Sequence, residues 1–65
     1  MTIAERLIKI MKEKNISFYA LQKHSRLNYG TIRCIVKGKT KKPQFYTLRA
    51  LANVLGVTVK DLTGE

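Results

Sequence analysis

Apolar side chains return at spacings of three and four from Ile3 to Leu62, and no stretch alternates apolar with polar as a half-buried strand does. That period commits the chain to α-helices laid against one another. Ile3, Leu7, Ile10 and Met11 line one side of a first helix that starts after Thr2 and stops at Asn15. Thr2 with Glu5 three residues on reads as a capping box, and Lys9, Lys12 and Lys14 sit near the carbonyl-rich end, where cations are favourable. Ser17 caps a second helix running to about His24, with Ile16 before it as a staple and Ala20 and Leu21 as a short apolar face. Asn28 offers the next cap, and Ile32, Ile35 and Val36 define the buried side of a third helix ended by Gly38. Lys39-Thr40-Lys41-Lys42-Pro43 then forms an exposed basic loop, because proline cannot continue a helix. Phe45, Leu48, Leu51, Ala52 and Leu55 make a fourth stripe closed by Gly56. Thr58 and Asp61 form a second capping box for a last short turn, leaving Val57, Val59 and Leu62 to cover the core. The expected fold is all-α, four helices and a short fifth.

A chain of 65 residues buries only ~60% of the surface that its unfolded state exposes. One domain over residues 1–65 is expected, with no internal repeat and no apolar run long enough to cross a bilayer. Such a core cannot spare a deep catalytic cavity once chain entropy is subtracted, so an enzyme is disfavoured. The side chains agree. His24 and Cys34 fall short of the three or four ligands a zinc site needs, and the lone histidine has one aspartate to pair with, in the last turn. The glycines at 30, 38, 56 and 64 lack phosphate-loop spacing. No metal and no cofactor are expected. A single cysteine excludes an internal disulfide and points to a reducing compartment, and the start lacks a signal peptide, so the cytoplasm is expected.

Thirteen Lys and Arg against four Asp and Glu give a net charge of +9, which calls for a polyanionic partner. The acids are Glu5, Glu13, Asp61 and Glu65, so the stretch from Lys14 to Lys60 carries ten basic side chains and no carboxylate. A surface built for solubility intersperses both signs, and this one does not. Contact with nucleic acid is the favoured reading.

Two short helices, about Ser17 to His24 and Asn28 to Lys37, joined by three or four residues, have the layout of a helix-turn-helix. The span Ile16 to Leu62 resembles the DNA-binding domain of the phage repressor and Cro family, often called the XRE family. Ile16-Ser17, Leu21, Leu27, Thr31-Ile32 and Ile35 fall where that family places cap and core residues. Gly38-Lys39-Thr40-Lys41 resembles its loop after the recognition helix, and Pro43, Thr47-Leu48, Leu51-Ala52 and Leu55-Gly56-Val57 resemble its fourth helix and following turn. Three positions depart from the pattern. Phe18 stands where the family often has a Gln whose amide binds a phosphate and braces the next helix, Gln22 where it has a small Ala, and Arg26 where it has the turn glycine. A left-handed Arg26 costs about 1–2 kcal/mol, so a remodelled turn is expected.

With Ile32, Ile35 and Val36 inward, helical geometry turns Tyr29, Gly30, Arg33, Cys34 and Lys37 outward. Arg33 can donate twice to guanine O6 and N7, Tyr29 can press on a thymine methyl or donate to a phosphate, and Gly30 admits close backbone approach. The resemblance assigns base reading to Tyr29, Gly30 and Arg33 and extends it to Cys34. It assigns phosphate contact to Ser17, Asn28, Thr31, Lys37, Lys39, Thr40, Lys41 and Lys42. It implies a sequence-specific regulator of transcription, acting as a repressor by occupancy, with the third helix in the major groove of double-stranded DNA. The relatives commonly bind two-fold operators as dimers, so a weak homodimer is expected on DNA, with Val54, Val57 and Val59 as the candidate contact. A different class, a protein-interaction module such as an antitoxin or anti-repressor on the same fold, would use an outward Phe18 and Tyr46. A cationic binder of membranes or RNA is disfavoured, because the bases cluster at loop and third-helix positions and not along one amphipathic stripe.

Overall fold

The computed structural model describes residues 2–64; Met1 and Glu65, the two ends of the expected 1–65 domain, lie outside the described residues. Five helices follow in order: α1 (Ile3–Lys14), α2 (Phe18–Ser25), α3 (Tyr29–Val36), α4 (Phe45–Leu55) and α5 (Val59–Thr63). No strand occurs among the described residues. The starts are set by the expected side chains. Thr2 and Glu5 exchange bonds across the first turn of α1 (Glu5 N–H to Thr2 Oγ1 3.2 Å, Thr2 N–H to Glu5 Oε1 2.9 Å), and Thr58 and Asp61 do the same for α5 (3.1 and 3.0 Å). The backbone N–H of Thr2, and that of Thr58, hold the Glu5 and Asp61 carboxyls below their ordinary range by favouring the charged form.

Three helix ends close by one device, a six-residue backbone link beside a shorter one. Ile16 N–H reaches the Met11 carbonyl (2.9 Å), Lys39 N–H the Cys34 carbonyl (2.9 Å) and Val57 N–H the Ala52 carbonyl (3.0 Å). Each needs a left-handed residue in the bend. Gly38 (φ 78°) and Gly56 (φ 70°) supply it freely, and Asn15 (φ 56°) supplies it at the end of α1.

Leu7, Leu21, Ile32, Ile35, Leu51, Leu55 and Leu62 are fully buried, each worth about 1.5–3 kcal/mol of transfer from water. α4 contributes half of the buried residues, adding Thr47, Leu48 and Ala52 to its two leucines. Around it α1 packs on α3, α4 and α5, while α2 packs on α4. The two short helices of the helix-turn-helix therefore rest on different supports, α2 on the central helix and α3 on α1. Val57 and Val59 are half-buried against the same core, as expected.

Candidate nucleic-acid interface

α2 and α3 are joined by Arg26, Leu27 and Asn28, the short link the sequence implies. Arg26 takes the left-handed conformation (φ 61°, ψ 18°), so the turn is kept and not remodelled. What offsets its cost is a pair of side chains. Ser25 Oγ accepts from Leu27 N–H and donates to the Gln22 carbonyl, both at 3.3 Å, and Gln22 Nε2 donates to the Leu27 carbonyl at 3.5 Å. Each such bond contributes about 0.5–1.5 kcal/mol, the same order as the strain. Gln22, at the position where a small Ala was the resemblance's expectation, thus serves the same turn as the Arg26 departure. Asn28 closes the link by accepting the Gly30 N–H at 2.7 Å.

Ile32 and Ile35 are fully buried and Val36 half-buried, which turns the opposite side of α3 to solvent. Tyr29, Gly30, Thr31, Arg33 and Lys37 are exposed there, Tyr29 by 47%. Tyr29 and Arg33, one helical turn apart, are linked: an Arg33 Nη1 proton is donated to the Tyr29 hydroxyl at 3.2 Å. Cys34 differs from its neighbours in being half-buried, and its carbonyl holds the following bend by accepting from Lys39 and Thr40 N–H.

The residues given phosphate roles fall in two groups. Ser17 and Asn28 are exposed caps at the starts of α2 and α3; Ser17 Oγ accepts from Ala20 N–H at 3.1 Å, which leaves its hydroxyl proton for an outside acceptor. These helix starts approach each other, since Phe18 and Tyr29 are the first residues of their helices and their rings lie 5.2 Å apart. Two amide-rich ends therefore lie close together, and negative charge is favoured at each. Lys37, Lys39, Lys41 and Lys42 are exposed beyond the other end of α3, with Thr40 half-buried among them. All four carboxylates lie elsewhere in the chain, on α1, on α5 and at Glu65.

Besides the Arg26 turn, four expectations need correcting. Cys34, expected outward, is half-buried, and Phe45, read into the apolar stripe of the fourth helix, is largely exposed because it stands at the first position of α4, beyond the packed part of that stripe. Phe18 is not outward: it is half-buried, packed against the core and tilted 57° to the Tyr29 ring. The second helix also runs through Ser25, one residue past His24. The braces Gln22 and Ser25 escaped sequence reasoning, although Phe18 left a signal: it and Tyr29 each directly follow a cap residue, so they occupy matching positions. Among the described residues no helix is long and apolar enough to cross a membrane, and no three His, Cys, Asp or Glu residues gather.

The family model described as the Cro/C1-type helix-turn-helix DNA-binding domain matches residues 6–64. No curated protein and no solved structure matches the chain.

Proposed function

Because the chain belongs to the Cro/C1-type helix-turn-helix DNA-binding family, a family of regulators and not of enzymes, we propose that it recognises a particular double-stranded sequence and represses by occupying it. α3 enters the major groove, with Arg33, Tyr29 and Gly30 at base edges and Cys34 at the margin of the reading face. Ser17, Asn28, Thr31, Lys37, Lys39, Thr40, Lys41 and Lys42 meet phosphates around it. The observation that carries this reading is the linked Tyr29–Arg33 pair on the exposed side of α3, within a stretch that holds no carboxylate. Residues 1–65 act as one domain in the cytoplasm, and two copies pair weakly on a two-fold operator through Val54, Val57 and Val59, with half-sites about 34 Å apart.

The basic residues divide into two roles that mutation separates. Arg33→Ala costs about 1–3 kcal/mol on the preferred duplex and relaxes preference at one base position, with little change in non-specific binding. Lys41→Ala weakens preferred and random duplex alike and makes the log-log salt slope shallower by about one unit per lost phosphate contact. Titrations of both variants at two salt concentrations decide it. Uniform weakening by Arg33→Ala with intact base preference removes Arg33 from the reading role.

A second reading, a protein-interaction module such as an antitoxin or anti-repressor, is favoured by Phe45 and Tyr46, which are 64% and 65% exposed. Phe45 lines a groove of about 670 Å³ with Ile3, Pro43, Leu48 and Val59, and Thr40, Lys41 and Lys42 line it too. If that surface carries the function, Phe45→Ser abolishes the biological effect while duplex binding is unchanged.

A further inference from the structure

Resting on the base-reading role of Arg33 proposed above, we infer that Phe18 is a positioning residue that sets how strictly Arg33 discriminates between bases, through Tyr29. Phe18 is fixed from two directions. Its backbone begins α2 under the Ser17 cap, and its ring is packed against the core. The free side of that ring meets Tyr29 at 5.2 Å between centroids and 57°, within the range where tilted aromatic pairs attract. Tyr29 is the first residue of α3 and nearly half exposed, so this contact is a wall behind a ring that otherwise faces solvent. The Tyr29 hydroxyl then accepts from Arg33 Nη1 at 3.2 Å. A core-anchored ring holds a surface ring, and the surface ring holds a guanidinium.

The hydrogen-bond direction gives the pair its chemistry. Because the Tyr29 oxygen accepts from Arg33, its own proton remains available outward, and the guanidinium has donors only. The joined tip therefore presents donors and no free proton-poor edge. Its complement is a set of acceptors, which guanine supplies through O6 and N7, with a thymine O4, a purine N7 or a phosphate oxygen beside it for the tyrosine. The cytosine amino group presents a donor to the same tip and is rejected. Arginine held in place before docking also loses less side-chain freedom when it binds. Phe18, where the resemblance has a Gln that binds a phosphate and braces the next helix, gives up the phosphate contact and braces with a ring, on the one residue of α3 that holds Arg33.

The test selects the preferred duplex from a random pool, uses R33A to find the base pair that Arg33 reads, and measures the affinity ratio between guanine and the other bases there. F18L retains apolar bulk without a ring, Y29F removes only the exposed hydroxyl, and F18Y restores the ring. The ratio is expected to fall about fivefold in F18L and in Y29F, part of what one bidentate contact supplies, and to return to the wild-type ratio in F18Y. Affinity for random duplex and the salt slope stay unchanged in F18L and F18Y, which a general loss of structure would not allow. An undiminished ratio in folded F18L overturns the inference. Should F18L not fold, F18M, which fills the same site with a flexible chain and no ring, decides by the same criterion. Absence of any base preference in the unmutated protein overturns the base-reading role itself, an outcome distinct from preference that survives in F18L.

Discussion

The three residues leading into α3 and the eight leading away from it are held by different means. On the way in, Gln22, Ser25 and Asn28 all spend side-chain hydrogen bonds on the backbone of a tight link, enough to keep Arg26 in a conformation that glycine would adopt at less cost. On the way out the backbone does the holding: Lys37 and Gly38 N–H bond the Arg33 and Ile35 carbonyls, Lys39 and Thr40 N–H share that of Cys34, and Gln44 leads into α4 with no side-chain cap. The difference matches what each side is asked to do. Reading a base edge requires donors placed within about 0.5 Å, whereas a lysine meets a phosphate as a point charge and tolerates a looser approach. The link braced by side chains feeds Tyr29 and Arg33; the one held at its start by backbone bonds alone carries Lys37, Lys39, Lys41 and Lys42.

The comparison breaks most severely if the support beneath both links is removed. Ile32→Ala empties a fully buried site and is expected to cost about 2–5 kcal/mol, a large part of what a domain this size has, while Lys41→Ala leaves the urea midpoint in place. A similar loss from both would mean that the loop is as integral to the fold as α3. Next in size, Ser25→Ala leaves Leu27 N–H without its partner and should cost about 1–2 kcal/mol, against under about 0.5 for Thr40→Ala in the outgoing loop. Calorimetry would show the first as a Tm drop of about 4–8 °C per kcal/mol and the second as almost none. Arg26→Gly should act in the opposite direction, stabilising by up to about 1 kcal/mol through relief of the left-handed strain. If it destabilises, the Gln22 and Ser25 bonds need the arginine side chain.

The smallest effect is one of pH. Glu5 and Asp61 have folded-state values held below their ordinary range, so their capping contribution is present above the unfolded values and lost as pH falls through the folded ones, below about pH 4. Neither link beside α3 contains a carboxylate. Mild acid should therefore raise amide exchange at the starts of α1 and α5 and leave residues 22–28 and 37–44 unchanged, with Glu5→Gln and Asp61→Asn flattening the response.

How much of this was legible in the sequence follows from how local each cause is. Thr2, Ser17, Asn28 and Thr58 cap helices through bonds that span two or three residues, and Gly38 and Gly56 bend the chain where they stand, so the helices and their order could be read directly. Phe18 could not be placed the same way. Its inward setting depends on a core assembled from residues far along the chain, and Tyr29, the ring it meets, stands eleven positions on. Gln22 reached the Leu27 carbonyl for a like reason: the bond exists only once Arg26 has reversed the chain. Cys34 sat at the boundary of the helical faces, where spacing alone does not separate outward from half-buried.

The shortness of α3 has a consequence in the currency of addresses. If α3 reads bases as proposed, its exposed side offers Tyr29, Gly30 and Arg33, enough to spell two or three letters of a sequence. At about 1–3 kcal/mol per wrong letter, one copy favours its target by roughly 10⁴, against ~10⁶–10⁹ competing positions in a genome. A lone copy would therefore be spread over addresses that are nearly right. Two copies on adjoining turns multiply their preferences, roughly squaring that figure, and bring it into the range a genome demands. A second copy would therefore add spelling more than grip, and the same eight-residue helix, read twice, becomes a word long enough to be rare.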